Sequence, residues 1–134
     1  MIVYSPKHRI PFQVGDLKCL FSPLTWQQKS DIEGCMKLVA GKAIVDNARR
    51  AFLTVKYGVK GVTGLKTPEG KPFEMSFDPD GSLSDSSTDA LLSLPCTVAM
   101  VTACANLANE VADHKIEGVK IDLSGVKLAE EKKS

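Results

Sequence analysis

The sequence is poor in the side chains and motifs from which most catalytic sites are built. Its 134 residues include only two histidines, His8 and His114, which lie far apart in the chain. Four cysteines occur singly, with no C-x-x-C pair and no histidine at zinc-ligand spacing. The G-x-S-x-G, H-E-x-x-H and Walker phosphate-binding motifs are absent. These absences argue against an enzyme, and they predict a noncatalytic protein without a metal or a cofactor.

Long apolar runs are also missing. The longest, around residues 94–108, is interrupted by Thr97, Thr102 and Asn106 and is shorter than the ~20 residues that a membrane-spanning helix needs. The N-terminus, "MIVYSPKHRIPF", lacks the sustained apolar segment of a secretory signal. Single cysteines in apolar surroundings are typical of reduced, buried thiols. The sequence therefore predicts a cytoplasmic protein with no membrane contact.

Dense positive charge is lacking as well, although the charges are unevenly distributed. Residues 1–71 contain 12 Lys and Arg against 5 Asp and Glu, whereas residues 72–114 contain 7 acids and neither Lys nor Arg. The basic residues are scattered, and only Arg49 and Arg50 are adjacent. No aromatic platform accompanies them, which argues against nucleic-acid binding. The two parts of opposite charge favour pairing, either within the fold or between copies in a symmetric assembly.

Length and composition predict a single domain over residues 1–134, with an extended N-terminal segment 1–21 and a C-terminal tail 115–134. Only 6% of the residues are aromatic, so aliphatic side chains must fill most of the core. Apolar residues alternate on both sides of Gly15-Asp16, which predicts two short strands joined by a turn.

Two helices are predicted to follow. In "LFSPLTWQQKSDIEGCM", Thr25 and Gln28 have the spacing of a capping box, which predicts a helix from about Trp26 to Val39 that Gly41 ends. A second helix is predicted from about Lys42 to Tyr57, with Gly58 as its stop. The apolar residues at helical spacing in this second segment are Ile44, Ala48, Ala51, Phe52 and Val55.

The second half predicts a hairpin, two helices and a strand. The turn residues 67–70 predict that Val62 to Lys66 and Phe73 to Phe77 form a hairpin or a pair of short extended segments. Ser86 or Ser87 is predicted to cap a short helix, and Pro95 to open a longer one from about Leu94 to Asp113. Alternation within Ile116 to Leu128 predicts a last strand. The fold class is therefore predicted to be α+β and mainly helical, with three to four helices and a small antiparallel sheet or hairpin.

The acidic loop "DPDGSLSD", residues 78–85, has alternating oxygen ligands like those of a calcium site. Its glycine, Gly81, stands at the fourth position, whereas an EF-hand loop needs glycine at the sixth position and a bidentate glutamate at the twelfth. The pattern is therefore more typical of a solvated loop.

The order of these elements resembles that of the tail assembly chaperones of long-tailed bacteriophages. Three segments carry the resemblance: "SPLTWQQKSDI" (Ser22 to Ile32), "VKYGVKGVTGLKTPEGKPFEMSF" (Val55 to Phe77) and "LSLPCTVAMVTACANLANEV" (Ser93 to Val111). The resemblance implies a noncatalytic protein of the infected host's cytoplasm that binds the long, helical tape-measure protein. It also implies contact with tail-tube subunits during assembly, and self-association.

Binding of a tape-measure helix would require an apolar groove or face. The residues expected to contribute to it are Trp26, Ile44, Ala48, Phe52, Val55, Val98, Val101 and Leu107. One alternative is a structural virion component, such as a tail-tube or head-tail joining protein, in which strands would dominate. Another is a small nucleic-acid-binding regulator, which predicts salt-dependent binding to DNA or RNA.

Overall fold

A computed structural model describes residues 9–108 and 119–121. They form an α+β fold with two antiparallel sheets and four helices. The strands are β1 (Ile10–Val14), β2 (Leu17–Phe21), β3 (Met36–Val39), β4 (Lys42–Val45), β5 (Val59–Thr63) and β6 (Val119–Ile121). The helices are α1 (Trp26–Glu33), α2 (Asn47–Gly58), α3 (Asp85–Leu92) and α4 (Thr97–Ala108).

The larger sheet has the strand order β5-β2-β1-β6, and all its neighbouring strands are antiparallel. Alternate residues of β1 and β2 are buried, so one face of these strands belongs to the core. Helices α2, α3 and α4 contribute to the same core cluster, with Val55, Leu91 and Met100 fully buried. Phe12 and Phe21 meet edge to face in this core, with ring centroids 6.5 Å apart.

The predicted strand pair around Gly15-Asp16 and the predicted start of the first helix are confirmed, whereas residues 1–8 of the predicted extended segment lie outside the described residues. β1 and β2 pair in register around a turn in which Gly15 has a positive φ. Helix α1 opens with the predicted capping box: the Gln28 backbone N–H donates to Thr25 Oγ1 at 3.2 Å. The Thr25 backbone N–H donates in turn to Gln28 Oε1 at 2.9 Å. Short-range side-chain chemistry is enough to specify this helix start.

The prediction of two consecutive helices between residues 26 and 57 is wrong at its centre. Helix α1 ends at Glu33 and α2 begins at Asn47, and between them β3 and β4 form a separate two-stranded hairpin. Ala40 and Gly41 both have positive φ, the geometry of a two-residue turn that joins twisted strands. Asp46 then caps α2 by accepting the Arg49 backbone N–H at 3.0 Å. For this reason the fold is not mainly helical.

Of the predicted pairing of residues 62–66 with 73–77, the end next to the turn is present: Lys66 bridges Pro72, and the Phe73 backbone N–H donates to the Leu65 carbonyl oxygen at 2.9 Å. Val62 and Thr63 belong instead to β5, which pairs with β2, and Phe77 bridges Leu83. Helix α3 is present, but Ser84 caps it in place of Ser86 or Ser87. Residues 109–113 of the predicted last helix lie outside the described residues. The described part of the predicted last strand is β6, which pairs with β1.

Candidate partner-binding groove

Helices α1, α2 and α4 surround an open groove of about 260 Å³. Its apolar lining residues are Leu24, Ile32, Ala51, Val101, Ala105 and Ala108. Its polar lining residues are Lys29, Glu33, Asn47, Arg50 and Thr54. An apolar surface bordered by charges of both signs is suited to the apolar face of an amphipathic helix.

Arg50 holds two of the three groove helices together. Its Nε donates to the Ile32 carbonyl oxygen at 3.2 Å, and its Nη2 lies 2.8 Å from Glu33 Oε2. Both acceptors are at the C-terminal end of α1, so Arg50 connects α2 to that end of α1. Glu33 is largely exposed, and an ion pair of this kind contributes only ~0–1 kcal/mol.

Part of the groove lining consists of small residues. Ala51 on α2 and Ala105 and Ala108 on α4 carry only a methyl group, so the backbone of a docked helix can come close to these helices. Val101 and Ile32 provide larger apolar contacts at the same site. A groove of about 260 Å³ accommodates a few side chains of a partner.

Of the eight residues that the sequence analysis assigned to partner binding, Val101 lines the groove. Val55 and Leu107 are core residues, with exposures of 0% and 4%, and a partner reaches neither of them without a change in the fold. Trp26 and Val98 are the opposite case, at 78% and 80% exposed. These five side chains therefore do not form a single surface.

The remaining three predicted residues lie on β4 and α2. Ile44 is on the outer strand of the β3–β4 hairpin, and Ala48 is exposed in the first turn of α2. Phe52 is partly buried, with the Arg49 guanidinium 5.0 Å from its ring centroid. The helical spacing that linked Ile44 to the other two does not exist, because a strand and a helix cap separate them.

The ammonium group of Lys56 lies beside the acidic loop whose sequence pattern is like that of a calcium site. Lys56 Nζ is 2.7 Å from Asp78 Oδ2 and 2.9 Å from Asp85 Oδ1, and it donates to the Leu83 carbonyl oxygen at 2.7 Å. Burial lowers the pKa of Lys56, but the hydrogen bonds and charges of the two aspartates outweigh it, so the pKa lies above its ordinary value. Two acids of the 78–85 loop thus hold the loop against α2 through a lysine. This cluster has no local sequence signal, because Lys56 is 22 residues from Asp78 and 29 residues from Asp85 in the chain.

The core contains two buried thiols, Cys19 on β2 and Cys104 on α4. Burial, reinforced by nearby Cys96, raises the pKa of the Cys19 thiol to about 12. Burial, reinforced by Cys19, also raises the pKa of Cys104. Over the described ranges, no group of three or more His, Cys, Asp or Glu side chains is placed to hold a metal ion.

Thiol modification is expected to distinguish these cysteines. Because the thiolate is the nucleophile, iodoacetamide at pH 7–8 should leave Cys19 and Cys104 unmodified in the folded protein and modify the half-buried Cys35. Peptide mass spectrometry measures the extent at each site, and the same reaction in denaturant, where all four thiols should react, is the control. Equal rates at Cys19 and Cys35 in the folded protein would contradict the expectation.

No single helix in the part of the chain that the structure describes is long and apolar enough to cross a membrane. Helices α3 and α4 reach the required length and apolar composition only when they are taken together, and the chain bends by 119° at the break between them. Both helices contribute fully buried residues to the core, Leu91 from α3 and Cys104 from α4.

Comparisons of the chain with protein-family models, with curated proteins and with solved structures found no match.

Proposed function

We propose that this protein is a noncatalytic tail assembly chaperone of a long-tailed bacteriophage. It acts in the cytoplasm of the infected host, where it binds the tape-measure protein and assists the assembly of tail-tube subunits around it. The observation that carries the proposal is a convergence in space. Leu24 and Ile32, from the first segment of the resemblance, line the same groove as Val101, Ala105 and Ala108 from the last segment.

The physical basis of the proposal is the chemistry of a long amphipathic helix. Its apolar face aggregates in water unless another surface covers it, and a groove with an apolar lining provides such a cover. One groove contacts only a short part of such a helix, so many copies of the protein would cover one tape-measure molecule. Trp26 and Val98 do not line the groove, but they are large exposed apolar side chains that a partner can reach.

Co-expression with the tape-measure protein tests the proposal. We expect the wild-type protein to keep the tape measure soluble and to elute with it as a complex. Ala105→Arg places a long charged side chain at the groove, and we expect it to reduce the recovered complex at least about tenfold, the effect of ~1.4 kcal/mol in binding free energy.

The matched control is Thr102→Arg, at an exposed position on the same helix that does not line the groove. It adds the same positive charge outside the groove, and arginine is a better helix former than threonine, so the recovered complex should stay within about twofold of wild type. A tape measure that is no more soluble with the wild-type protein than without it rejects the chaperone function. Equal effects of the two arginine variants reject the groove as the binding site.

A structural virion component is the second candidate, and the β3–β4 hairpin favours it. All eight residues of this hairpin are exposed, and an exposed strand edge can pair with the next subunit of a ring or tube. Mass spectrometry of mature particles separates the two functions. A structural component remains in the particle, whereas an assembly chaperone is absent from it.

A further inference from the structure

The exposed apolar side chains of the described residues are concentrated on the β3–β4 hairpin. Of the nine large apolar side chains that are exposed among these residues, five lie on the hairpin: Met36, Leu38, Val39, Ile44 and Val45, of which Leu38 is 78% exposed. A two-stranded hairpin with neither face covered is at best marginally stable in water, and a sheet of three or more strands is more stable. The hairpin therefore has the composition of a sheet that is completed by another strand.

Strand β4 has an outer edge at which such a strand can pair. Within the described residues, the small sheet contains only β3 and β4. The Asp46 backbone N–H donates to the Cys35 carbonyl oxygen at 3.0 Å, which fixes the direction in which the β4 backbone groups point. Because these directions alternate along a strand, the N–H and C=O groups of Ala43 and Val45 point away from β3. These four groups form the edge to which a new strand would bond.

We propose that β4 pairs antiparallel with β4 of a second copy of this chain, about a two-fold axis that passes beside Ile44. In this register Ala43 lies opposite Val45 of the other copy, and the two residues exchange both backbone hydrogen bonds. Lys42 lies opposite Asp46, so two unlike-charge pairs flank an Ile44–Ile44 contact at the axis. The contact is isologous, since each copy uses the same strand.

Charge complementarity selects both the partner and the register. Moving the axis to Ala43 places Lys42 opposite Ile44, and moving it to Val45 places Ile44 opposite Asp46. An axis placed midway between two residues would put residues from opposite faces of the two hairpins next to each other, because side chains alternate between the faces along each strand. Of these registers, the one through Ile44 alone pairs unlike charges and keeps apolar residues opposite apolar residues.

The proposed pairing also uses groups that the fold leaves available. Asp46 Oδ1 accepts the Arg49 backbone N–H as the cap of α2, and Oδ2 can receive the Lys42 ammonium of the other copy. A lysine on an edge strand ordinarily discourages pairing with other chains. Here Asp46 neutralises Lys42, so the edge accepts a copy of itself and disfavours strands without an acid at that position. The paired strands bury a small area, so we expect a dissociation constant in the micromolar range or weaker.

Sedimentation velocity of the purified chain alone, from about 10 μM to about 1 mM, tests the proposal across that affinity range. We expect a reversible dimer whose dissociation constant rises several-fold when salt increases from about 0.05 M to about 0.5 M, because salt screens the Lys42–Asp46 pairs. Ile44→Lys places two like charges opposite each other at the axis and should weaken the dimer at least about tenfold, or ~1.4 kcal/mol.

Two further variants address the charge pairs, with a matched control. Lys42→Glu opposes Asp46 with a like charge and should weaken the dimer several-fold, whereas Lys37→Glu makes the same change on β3 and should stay within about twofold of wild type. Asp46→Asn keeps a good helix cap while removing the charge, and it should weaken the dimer and reduce its salt dependence. Circular dichroism verifies that each variant is folded.

A wild-type chain that remains monomeric at about 1 mM overturns the proposal. Equal dimer affinities for Lys42→Glu and Lys37→Glu overturn it as well, even if Ile44→Lys does not fold. The dimer does not depend on the proposed function, because the measurement contains no tape-measure protein. A result that rejects the dimer therefore does not reject the proposed chaperone function, and the reverse also holds.

Discussion

Replacing Gly58 by alanine is expected to destabilise the fold by about 2–4 kcal/mol, the range of a severe overpacking of the core. A Cβ atom at this position would overlap the Phe21 ring, at 2.5 Å from Cζ and 2.7 Å from Cδ2. Phe21 is fully buried and packs edge to face on Phe12, so its ring has little room to move. The Ser22 backbone N–H also donates to the Gly58 carbonyl oxygen at 2.7 Å, which ties the end of α2 to the end of β2.

Chemical denaturation and thermal melting measure this effect, and for a chain of this size we expect a decrease in Tm of roughly 10 °C. Gly61→Ala is the matched control, because a Cβ there would be 3.5 Å from Leu20 Cδ1, an ordinary contact. Its free energy of unfolding should change by less than about 1 kcal/mol. In a Phe21→Leu background the cost of Gly58→Ala should fall, because the ring atoms that clash are gone. Equal costs for Gly58→Ala and Gly61→Ala would show that the ring is not the cause.

Replacing Lys56 by methionine is expected to destabilise the protein by about 1–3 kcal/mol, the cost of leaving buried polar partners without their donor. The lysine side chain is 12% exposed, and it binds the carbonyl oxygen of fully buried Leu83. Asp78 and Asp85 remain in contact with water, which limits the cost of losing their charge partner. Methionine keeps the unbranched apolar stem of lysine, so the change removes mainly the ammonium group.

Lys60→Met is the control for the second prediction. Lys60 is also on the α2–β5 segment and donates to the 78–85 loop, but its acceptor is the exposed Gly81 carbonyl oxygen at 2.7 Å. Water can replace this bond, so the change in unfolding free energy should be below about 1 kcal/mol. Comparable decreases in the free energy of unfolding for Lys56→Met and Lys60→Met would contradict the role assigned to Lys56.

The pH dependence of the Lys56→Met effect follows from the raised pKa of Lys56. A pKa that is higher in the folded than in the unfolded chain means that folding favours the protonated lysine. This contribution is fully present below the ordinary lysine pKa of about 10.4 and is lost as the pH rises through the folded value. The difference in stability between wild type and Lys56→Met should therefore be constant near neutral pH and shrink only in strong alkali. A difference that shrinks between pH 7 and pH 9 would contradict this assignment.

Elements whose signals are local could be predicted from the residue order alone. The Gly15-Asp16 turn, the Thr25–Gln28 capping box and the end of α2 at Gly58 follow from residues at most a few positions apart. Such signals are readable because the interacting groups are neighbours in the chain whatever the rest of the fold does. Of the residues that local spacing assigned to partner binding, Val101 lines the groove.

Tertiary structure decided the rest, because the competing local patterns were nearly balanced. The stretch "MKLVAGKAIV" has apolar residues at spacings that fit both a helix and a strand, and the pairing of β3 with β4 favours the strand. Strand β5 pairs with β2, about 40 residues earlier, and Lys56 finds its acids more than 20 residues later. In both cases the interacting groups are far apart in the sequence. Several groups in the chain are chemically suitable partners for each of these residues. The pairs that form depend on which surfaces remain exposed after the nearer elements have packed, so they are defined only in the folded chain.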